Sequence, residues 1–237
     1  LREIGRPAPF ADSRPLGIED VELDAPGPGE VLVRIRAAGL CHSDLSVIDG
    51  NRPRPMPMVL GHEAAGVVEQ VGTNVTGLAR GDHVVAAFVP SCGHCKPCET
   101  GRPALCEPGF KANSAGTLLS GERRLHDAGG SVHHHLGVSG FAQYAVLAAN
   151  SLVRVPSDLP FAEAALFGCA VITGVGAVVN TAAHPRGASA AVVGAAATDH
   201  PSGGQSVDAG DLQQRHLATA RSEFRMRSGL GRLGRLR

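Results

Sequence analysis

The stretch Cys92-Gly93-His94-Cys95-Lys96-Pro97-Cys98, closed by Cys106 eight residues later, decides how the middle of the chain folds. Its thiols follow the spacing C-x2-C-x2-C-x7-C, and soft thiolates in tetrahedral geometry favour zinc, at about 2.3 Å per Zn–S bond. Glycines and prolines interrupt the stretch, so residues 91–107 are predicted to form a zinc lobe folded by its metal. The alternatives are a disulfide knot, a redox Cys-x-x-Cys pair or an iron–sulfur cluster, although cysteines this close would make strained or interchangeable disulfides.

Composition excludes several classes of function. The chain has 237 residues and a formal net charge of zero, which gives no general bias toward nucleic acid or anionic membrane. We find no run of 18 apolar residues and no signal peptide, so no membrane segment is expected. Six cysteines without a secretory segment indicate a reducing compartment, and we expect a cytoplasmic protein.

The hydrophobic pattern is mainly that of short strands. Glu30–Ala37 alternates apolar and charged residues, which predicts a half-buried strand. Short strands at this pitch predict a β-barrel, whereas residues 107–140 read as a loop. A helix is predicted over Phe161–Phe167, ending at Gly168. Further strands are predicted within 59–72, 81–88, 141–147 and 152–155.

Beyond the lobe, three further motifs carry a family resemblance. They are Gly39-Leu-Cys41-His-Ser-Asp44, Gly61-His-Glu-Ala-Ala-Gly66 and Gly168-Cys169-Ala-Val-Ile-Thr-Gly174. With the lobe, their order and spacing over roughly residues 1–194 resemble the zinc-dependent medium-chain alcohol dehydrogenases. The resemblance implies a mainly β fold with some α: a GroES-like β-barrel catalytic domain over 1–160, then an incomplete Rossmann-like α/β segment that begins the nucleotide-binding domain at 161–194.

The resemblance implies a second zinc, the catalytic one, held by Cys41, His62 and Cys169 with water or alcohol in the fourth position. All six cysteines then fall on metal-ligand positions, and the chain would hold two zinc ions. Two thiolates and a neutral imidazole cancel the charge of the ion and leave one position open, where zinc acts as a Lewis acid on an alcohol oxygen. The implied activity is NAD(P)-linked interconversion of an alcohol and its aldehyde.

The resemblance also assigns roles around the catalytic ligands. Ser43 takes the place of the proton-relay hydroxyl, Asp44 is an acceptor for the free N–H of His62, and Glu63 tunes the zinc from behind. The simpler alternatives are a turn residue for Ser43 and a surface carboxylate for Asp44. Three consecutive histidines, His133–His135, are expected to be structural or solvent-facing, because the family has a histidine-rich stretch here that does not bind zinc.

Cofactor and substrate contacts are implied in the same way. His42 matches a basic residue at the cofactor pyrophosphate, Thr173 one near the nicotinamide, and Gly194 the first glycine of the dinucleotide motif. Phe88 matches a residue of the substrate pocket, with ordinary core packing as the alternative. The long stretch after Cys106 resembles the long-loop branch, usually homodimeric, that includes glutathione-dependent formaldehyde dehydrogenases. Phe110 replaces the arginine of that group, so a primary or aromatic alcohol is the expected substrate.

The resemblance stops after Gly194. Ala196 and Asp199 stand where the second and third glycines of the motif belong, which puts a β-carbon and a negative charge beside the phosphates. Only 43 residues follow Gly194, against the roughly 130 that a Rossmann domain needs. Residues 195–237 are expected to be a divergent, disordered, Arg-rich tail of a truncated or frame-shifted chain.

The sequence therefore leaves two alternatives to an enzyme that binds NAD(P). One alternative function is an inactive zinc-binding GroES-like module. Another is a tail over 215–237 that binds nucleic acid. The scarcity of aromatic residues, with Phe224 alone in the tail, and the lack of any nucleic-acid motif argue against the tail function.

Overall fold

The computed structural model describes residues 1–6, 8–88 and 90–181. Within these residues the chain forms two β-sheets with short helices at their edges, which confirms the mainly β prediction. The predicted dinucleotide glycine Gly194 and the tail 195–237 lie outside the described residues, so the predictions made for them stay predictions.

A five-stranded antiparallel sheet with strand order β8-β2-β4-β5-β9 carries the main core. On β2 the apolar members of the alternating pattern, Val31, Val33 and Ile35, are buried in the core cluster, while Arg34 pairs with Glu69 of β4 at 2.8 Å. The predicted half-buried strand is therefore confirmed. The strands of this sheet are β2 Glu30–Gly39, β4 Glu63–Val71, β5 His83–Ala86, β8 Tyr144–Ala148 and β9 Leu152–Arg154.

A four-stranded sheet with order β1-β6-β7-β3 is joined to the first by a buried ion pair. Glu30 is 2% exposed, and its Oε2 accepts from Arg124 Nε at 2.8 Å, while its Oε1 accepts from Ser120 Oγ at 2.7 Å. Both partners come from the segment between Cys106 and Phe141, so that segment is fastened to the main sheet. The strands are β1 Glu22–Leu23, β3 Met58–Val59, β6 Leu125–Asp127 and β7 Gly130–His134.

The prediction of a loop over 107–140 is wrong. Helix α4, Glu107–Ala115, follows the lobe directly, and β6 and β7 pair as a hairpin around Ala128 and Gly129. The three residues of β6 are too few to show a period, and β7 gains a second partner only from β3, far away in sequence. The other helices before the C-terminal one are α1 Phe10–Ser13, α2 His42–Ile48, α3 Lys96–Glu99 and the 3₁₀ turns Pro103–Leu105 and Ala149–Ser151.

The last described helix also differs from its prediction, because it continues past Gly168. It runs as α5 Phe161–Leu166, a π-helical turn Phe167–Val171, α6 Ile172–Gly176 and a second π-helical turn Ala177–Thr181. Its first turns pack Ala164 and Ala165 against Ala65 of β4. The helix continues through Gly168 because tertiary packing outweighs the low helix propensity of glycine.

This helix also bears on the expectation that the chain has no membrane segment. Among the described residues, Phe161–Asn180 is long and apolar enough to cross a membrane, with a mean hydropathy of 1.9 in its most apolar window. By length and composition alone this is weak support for a membrane span, because core helices pass the same test. Here 22% of the window is buried within the protein.

Candidate active site and metal centres

The four-cysteine lobe forms a compact cluster of thiols. The Sγ atoms of Cys92, Cys95, Cys98 and Cys106 all lie within 4.8 Å of one another, and Cys95 and Cys98 are 3.5 Å apart. Tetrahedral zinc with bonds of about 2.3 Å requires S···S separations of about 3.8 Å, so the cluster fits one ion. The cysteines are free thiols rather than disulfides, which excludes the knot and the formed redox pair in this structure.

Backbone amides around the lobe are directed at its sulfurs. The N–H of Cys92 donates to Cys106 Sγ at 3.2 Å, that of Cys95 to Cys92 Sγ at 3.3 Å, and that of Gly109 to Cys106 Sγ at 3.4 Å. Donors of this kind favour the thiolate over the thiol. The backbone N–H of Cys98 accordingly lowers the pKa of Cys95 to about 7. The thiolate, which is the form that binds metal, is thus favoured at Cys95, whereas burial raises the pKa of Cys98 to about 11.

A second cluster forms where three distant segments meet. Cys41 is the N-cap of α2, His62 precedes β4, and Cys169 lies on the last described helix. Cys41 Sγ and Cys169 Sγ are 4.0 Å apart, and the ligand atoms of these residues and of Glu63 all lie within 4.8 Å of one another. Two thiolates and an imidazole at this separation suit tetrahedral zinc with one further position.

Asp44 holds two of these ligands in place. It is fully buried at the third position of α2, and its Oδ2 accepts from the N–H of Cys41 at 3.1 Å, closing a capping box around the thiol. Its Oδ1 accepts from the N–H of Gly61 at 3.1 Å and lies 3.2 Å from His62 Nδ1. The imidazole therefore carries its proton on Nδ1 and leaves Nε2 for a metal.

A glycine is required at position 61, where the backbone turns directly before His62. Its φ of +91° is in the region that favours glycine, and a β-carbon there would lie 2.6 Å from the backbone nitrogen of Phe141. The backbone N–H of Phe141 donates to Leu60 O at 3.0 Å, which closes this corner. The glycine of the predicted motif thus lets the chain turn between β3 and β4 and present a 1% exposed histidine to the cluster.

Gly168 places the third ligand. A β-carbon at this residue would lie 1.9 Å from the carbonyl oxygen of Ala86 at the end of β5. Only a glycine allows the helix to approach the sheet this closely, and the approach brings Cys169 to Cys41.

The protonation states of the cluster show why it needs a cation. Hydrogen bonding with Cys169 lowers the pKa of Cys41 to about 3, while the same hydrogen bond, followed by burial, raises the pKa of Cys169, because one thiol proton is shared between the two sulfurs. Burial acts to lower the pKa of His62, but its hydrogen bonds to Asp44 and Cys41 outweigh burial and raise it to about 9. The protein alone thus keeps protons between these groups, and a dication would replace them.

Glu63 and Phe88 flank the cluster. Burial, followed by the charge of Cys41, raises the pKa of Glu63 to about 7, so its carboxyl group titrates near neutrality beside the ligands. The ring of Phe88 contacts that of His62 edge-on, at 5.6 Å and 75°. Phe88 also packs partly against the main core, so both of its predicted roles fit this position.

The remaining predicted residues are distributed along two helices. His42 is exposed and Ser43 half-buried on the first turn of α2, next to Cys41. Thr173 is exposed on α6, one turn beyond Cys169. Their roles stay predictions, and Gly194 is outside the described residues.

Of the three consecutive histidines, two are buried. His134 Nε2 accepts from the backbone N–H of Arg124 at 3.1 Å, which is the structural role expected for it. His135 is 1% exposed and lies with Asp44 and His62 in a third cluster of ligand atoms within 4.8 Å. The sequence interpretation missed this placement, because nothing in the run of histidines distinguishes its last member.

Comparison with known proteins agrees with this geometry. The family described as the alcohol dehydrogenase GroES-like domain matches residues 27–157. The chain is 41% identical over 182 residues to the alcohol dehydrogenase class-3 of Drosophila melanogaster, covering 76% of this chain and 48% of that protein.

Solved structures give the same result. The chain is similar to an alcohol dehydrogenase zinc-binding domain protein from Burkholderia ambifaria, with 41% identity, a TM-score of 0.66, and coverage of 72% of this chain and 51% of the other. It is also similar to benzyl alcohol dehydrogenase from Acinetobacter calcoaceticus, with 36% identity, a TM-score of 0.62, and coverage of 69% and 48%.

The family match takes in more than half of the chain and agrees with the fold described above. The chain belongs to the family of the alcohol dehydrogenase GroES-like domain. It spans about half the length of the relatives it matches.

Proposed function

We propose that this chain is an oxidoreductase of the alcohol dehydrogenase type, which binds two zinc ions and interconverts a primary or aromatic alcohol and its aldehyde with NAD(P). The observation that carries the proposal is the convergence of Cys41, His62 and Cys169 from three distant segments to within 4.8 Å. The family assignment and the name of the benzyl alcohol dehydrogenase relative support the substrate class.

The residues present suit zinc at both clusters. The lobe offers four thiolates, a closed structural set, whereas the second cluster offers two thiolates and one imidazole and leaves a position for substrate. When bound there, zinc supplies a Lewis acid that polarises an alcohol or carbonyl oxygen.

Side chains of this protein are proposed to remove the alcohol proton and to contact the cofactor. When bound, NAD(P)⁺ would supply the hydride acceptor, taking both electrons of the alcohol C–H bond so that an aldehyde is left. The hydroxyl proton has to leave, and Ser43, half-buried beside Cys41, is the proposed acceptor that passes it to solvent. His42, exposed beside it, is proposed to meet the cofactor pyrophosphate, and Thr173 the nicotinamide.

The test uses the purified 237-residue chain. We expect about two zinc ions per chain by mass spectrometry and NAD(P)⁺ reduction with benzyl alcohol, followed at the nicotinamide absorbance. The variant Cys41→Ser should lose one zinc and the activity, whereas His94→Ala, in the lobe but exposed and outside the thiol cluster, should keep both. Equal turnover by Cys41→Ser and the unaltered chain would refute the proposed catalytic site.

Nicotinamide fluorescence separates the active protein from the main alternative. Saturable binding of NADH at micromolar concentration would support the dehydrogenase. Two bound zinc ions without NADH binding up to millimolar concentration would instead support an inactive zinc-binding GroES-like module.

The proposal also includes a cytoplasmic location, with which six free cysteines agree.

A further inference from the structure

His135 lies against the metal-binding histidine without belonging to the ligand set. It directly follows β7 and is 1% exposed. Its Nδ1 is 3.1 Å from Asp44 Oδ1, and its ring meets that of His62 edge-on, at 5.5 Å and 85°. Neither of its ring nitrogens makes a hydrogen bond of good geometry with the described residues. A buried imidazole in this state is costly, so its retention needs an explanation.

Asp44 provides the connection. Its Oδ2 holds the backbone of Cys41, and its Oδ1 holds both the N–H of Gly61 and Nδ1 of His62. An unprotonated Nδ1 on His135 would place a lone pair 3.1 Å from the same carboxylate oxygen. The contact is favourable only if that nitrogen carries its proton, so the Nδ1–H of His135 attracts Asp44 electrostatically, without the alignment of a full hydrogen bond.

The contact with the His62 ring restricts the same residue from a second side. The edge-to-face pair places the His135 ring against the His62 ring, and Phe88 meets the same ring edge-on at 5.6 Å. The His62 ring is therefore held by the Asp44 carboxylate and by two neighbouring rings. Partners that orient a metal-binding histidine in this way are typically worth a factor of 10–100 in metal affinity.

We propose that His135 is a positioning residue for His62, which restrains the Asp44 carboxylate through Nδ1 and supports the His62 ring by edge-on contact. The inference rests on the proposed catalytic zinc site and adds a residue to which no role has been assigned. It is independent of the lobe, whose ligand atoms form a separate cluster.

A matched pair of variants isolates the hydrogen-bonding part of this role. His135→Phe keeps a ring against His62 and removes the N–H, whereas His135→Asn removes the ring but places an amide N–H near the position of Nδ1. Zinc affinity is measured by competition with a chromophoric chelator, and cobalt(II) spectra report the geometry of the site. The lobe serves as an internal reference, and circular dichroism melting confirms that each variant folds.

We expect His135→Phe to weaken zinc binding at the Cys41 cluster by about 10-fold or more and to shift the cobalt bands, and His135→Asn to recover part of the affinity. Lobe affinity should be unchanged in both variants. Should His135→Phe fail to fold, His135→Gln, whose amide mimics Nε2 rather than Nδ1, replaces it as the variant without the donor.

Three results would overturn the inference. Unchanged zinc affinity and unchanged cobalt bands in His135→Phe would show that His135 does not position the ligand. A third equivalent of metal that is lost in His135→Phe would show that Asp44, His62 and His135 bind an ion themselves. A single equivalent bound by the unaltered chain, at the lobe alone, would refute the proposed catalytic site and this inference with it.

Discussion

The two metal clusters of this protein are built in opposite ways. The lobe gathers its four thiols from one short stretch, with Cys92 and Cys106 only 14 residues apart. The second cluster gathers Cys41 and Cys169 across 128 residues, and its ligands lie on two helices and beside a strand. In the lobe, the regular structure before α4 begins at Glu107 is a four-residue helix and a 3₁₀ turn.

This difference separates two ways of using a metal. A lobe with little regular structure has few other contacts to stabilise it, so the metal supplies its folding energy. The second cluster is held by capping, by buried hydrogen bonds and by sheet packing, contacts that do not involve the metal. Metal removal should therefore unfold the first and leave the second in place.

The largest expected effect is loss of the lobe. Structural zinc contributes about 10–16 kcal/mol of apparent binding energy in zinc-finger peptides, so Cys98→Ala should leave residues 91–107 without stable structure. Cys169→Ala should remove the second metal and leave the backbone of both clusters ordered. Hydrogen exchange followed by mass spectrometry distinguishes the two, with the peptide over β4, residues 63–71, as the protected reference. If both variants exchanged faster over the same segments, the claim that only the lobe depends on its metal for folding would be wrong.

Asp44 gives the next largest effect, because one carboxylate holds two ligands of the assembled cluster. Burial disfavours its charge, yet the neighbouring His135 and His62 imidazoles hold its pKa well below the usual range, so it is ionised. Asp44→Ala leaves several buried donors unpaired. We expect a loss of about 3–5 kcal/mol in unfolding free energy and a 10–100-fold loss of zinc affinity at this cluster.

Asp49 provides the matched control for Asp44. It caps the other end of the same helix, and among the described residues its carboxylate accepts from Asn51, two residues along the chain. Asp49→Ala should cost about 1 kcal/mol or less and leave zinc affinity unchanged. Urea unfolding measures the free energy of unfolding, and chelator competition measures the zinc affinity. Similar losses in the two variants would contradict the claim that Asp44 holds the metal ligands in place.

The contrast between a lobe that is local in sequence and a cluster assembled from distant segments also explains how much of the molecule the sequence predicts. The lobe is predictable because its chemistry lies in residue types and their spacing, whereas the second ligand set was expected only from the family resemblance of its motifs. The helix was expected to end at Gly168 because glycine is a poor helix former, but the close approach to Ala86 that requires the glycine is visible only in three dimensions. The hairpin of β6 and β7 and the burial of His135 likewise depend on partners far away in sequence.

His134 makes a smaller contribution, which depends on pH. Burial lowers its pKa to about 4, against about 6.5 in an unfolded chain. Between these values the unfolded chain binds a proton that the folded protein does not, so the stabilisation is complete above pH 6.5 and is lost as the pH falls toward 4. The full loss is about 3 kcal/mol.

Urea midpoints between pH 7.5 and 4.5, measured on metal-free protein, test this effect. The variant His134→Gln should show a flatter pH dependence over this range. Its amide oxygen can still accept from the N–H of Arg124 but does not titrate. Parallel curves for the two proteins would show that other groups account for the acid sensitivity.

The smallest effect tests whether the helix must approach the sheet closely to place Cys169. In Gly168→Ala the new β-carbon would lie 1.9 Å from Ala86 O, so the helix has to move, at a cost of about 1–3 kcal/mol. Gly174→Ala, one helical turn beyond Cys169 with nothing within 4 Å of the added carbon, should instead stabilise the helix by up to about 1 kcal/mol. Because the displacement also moves Cys169 away from Cys41, only Gly168→Ala should weaken metal binding at the assembled cluster. Equal zinc affinity in both variants would mean that the helix repacks without moving its thiol, and that the cluster tolerates more displacement than its geometry indicates.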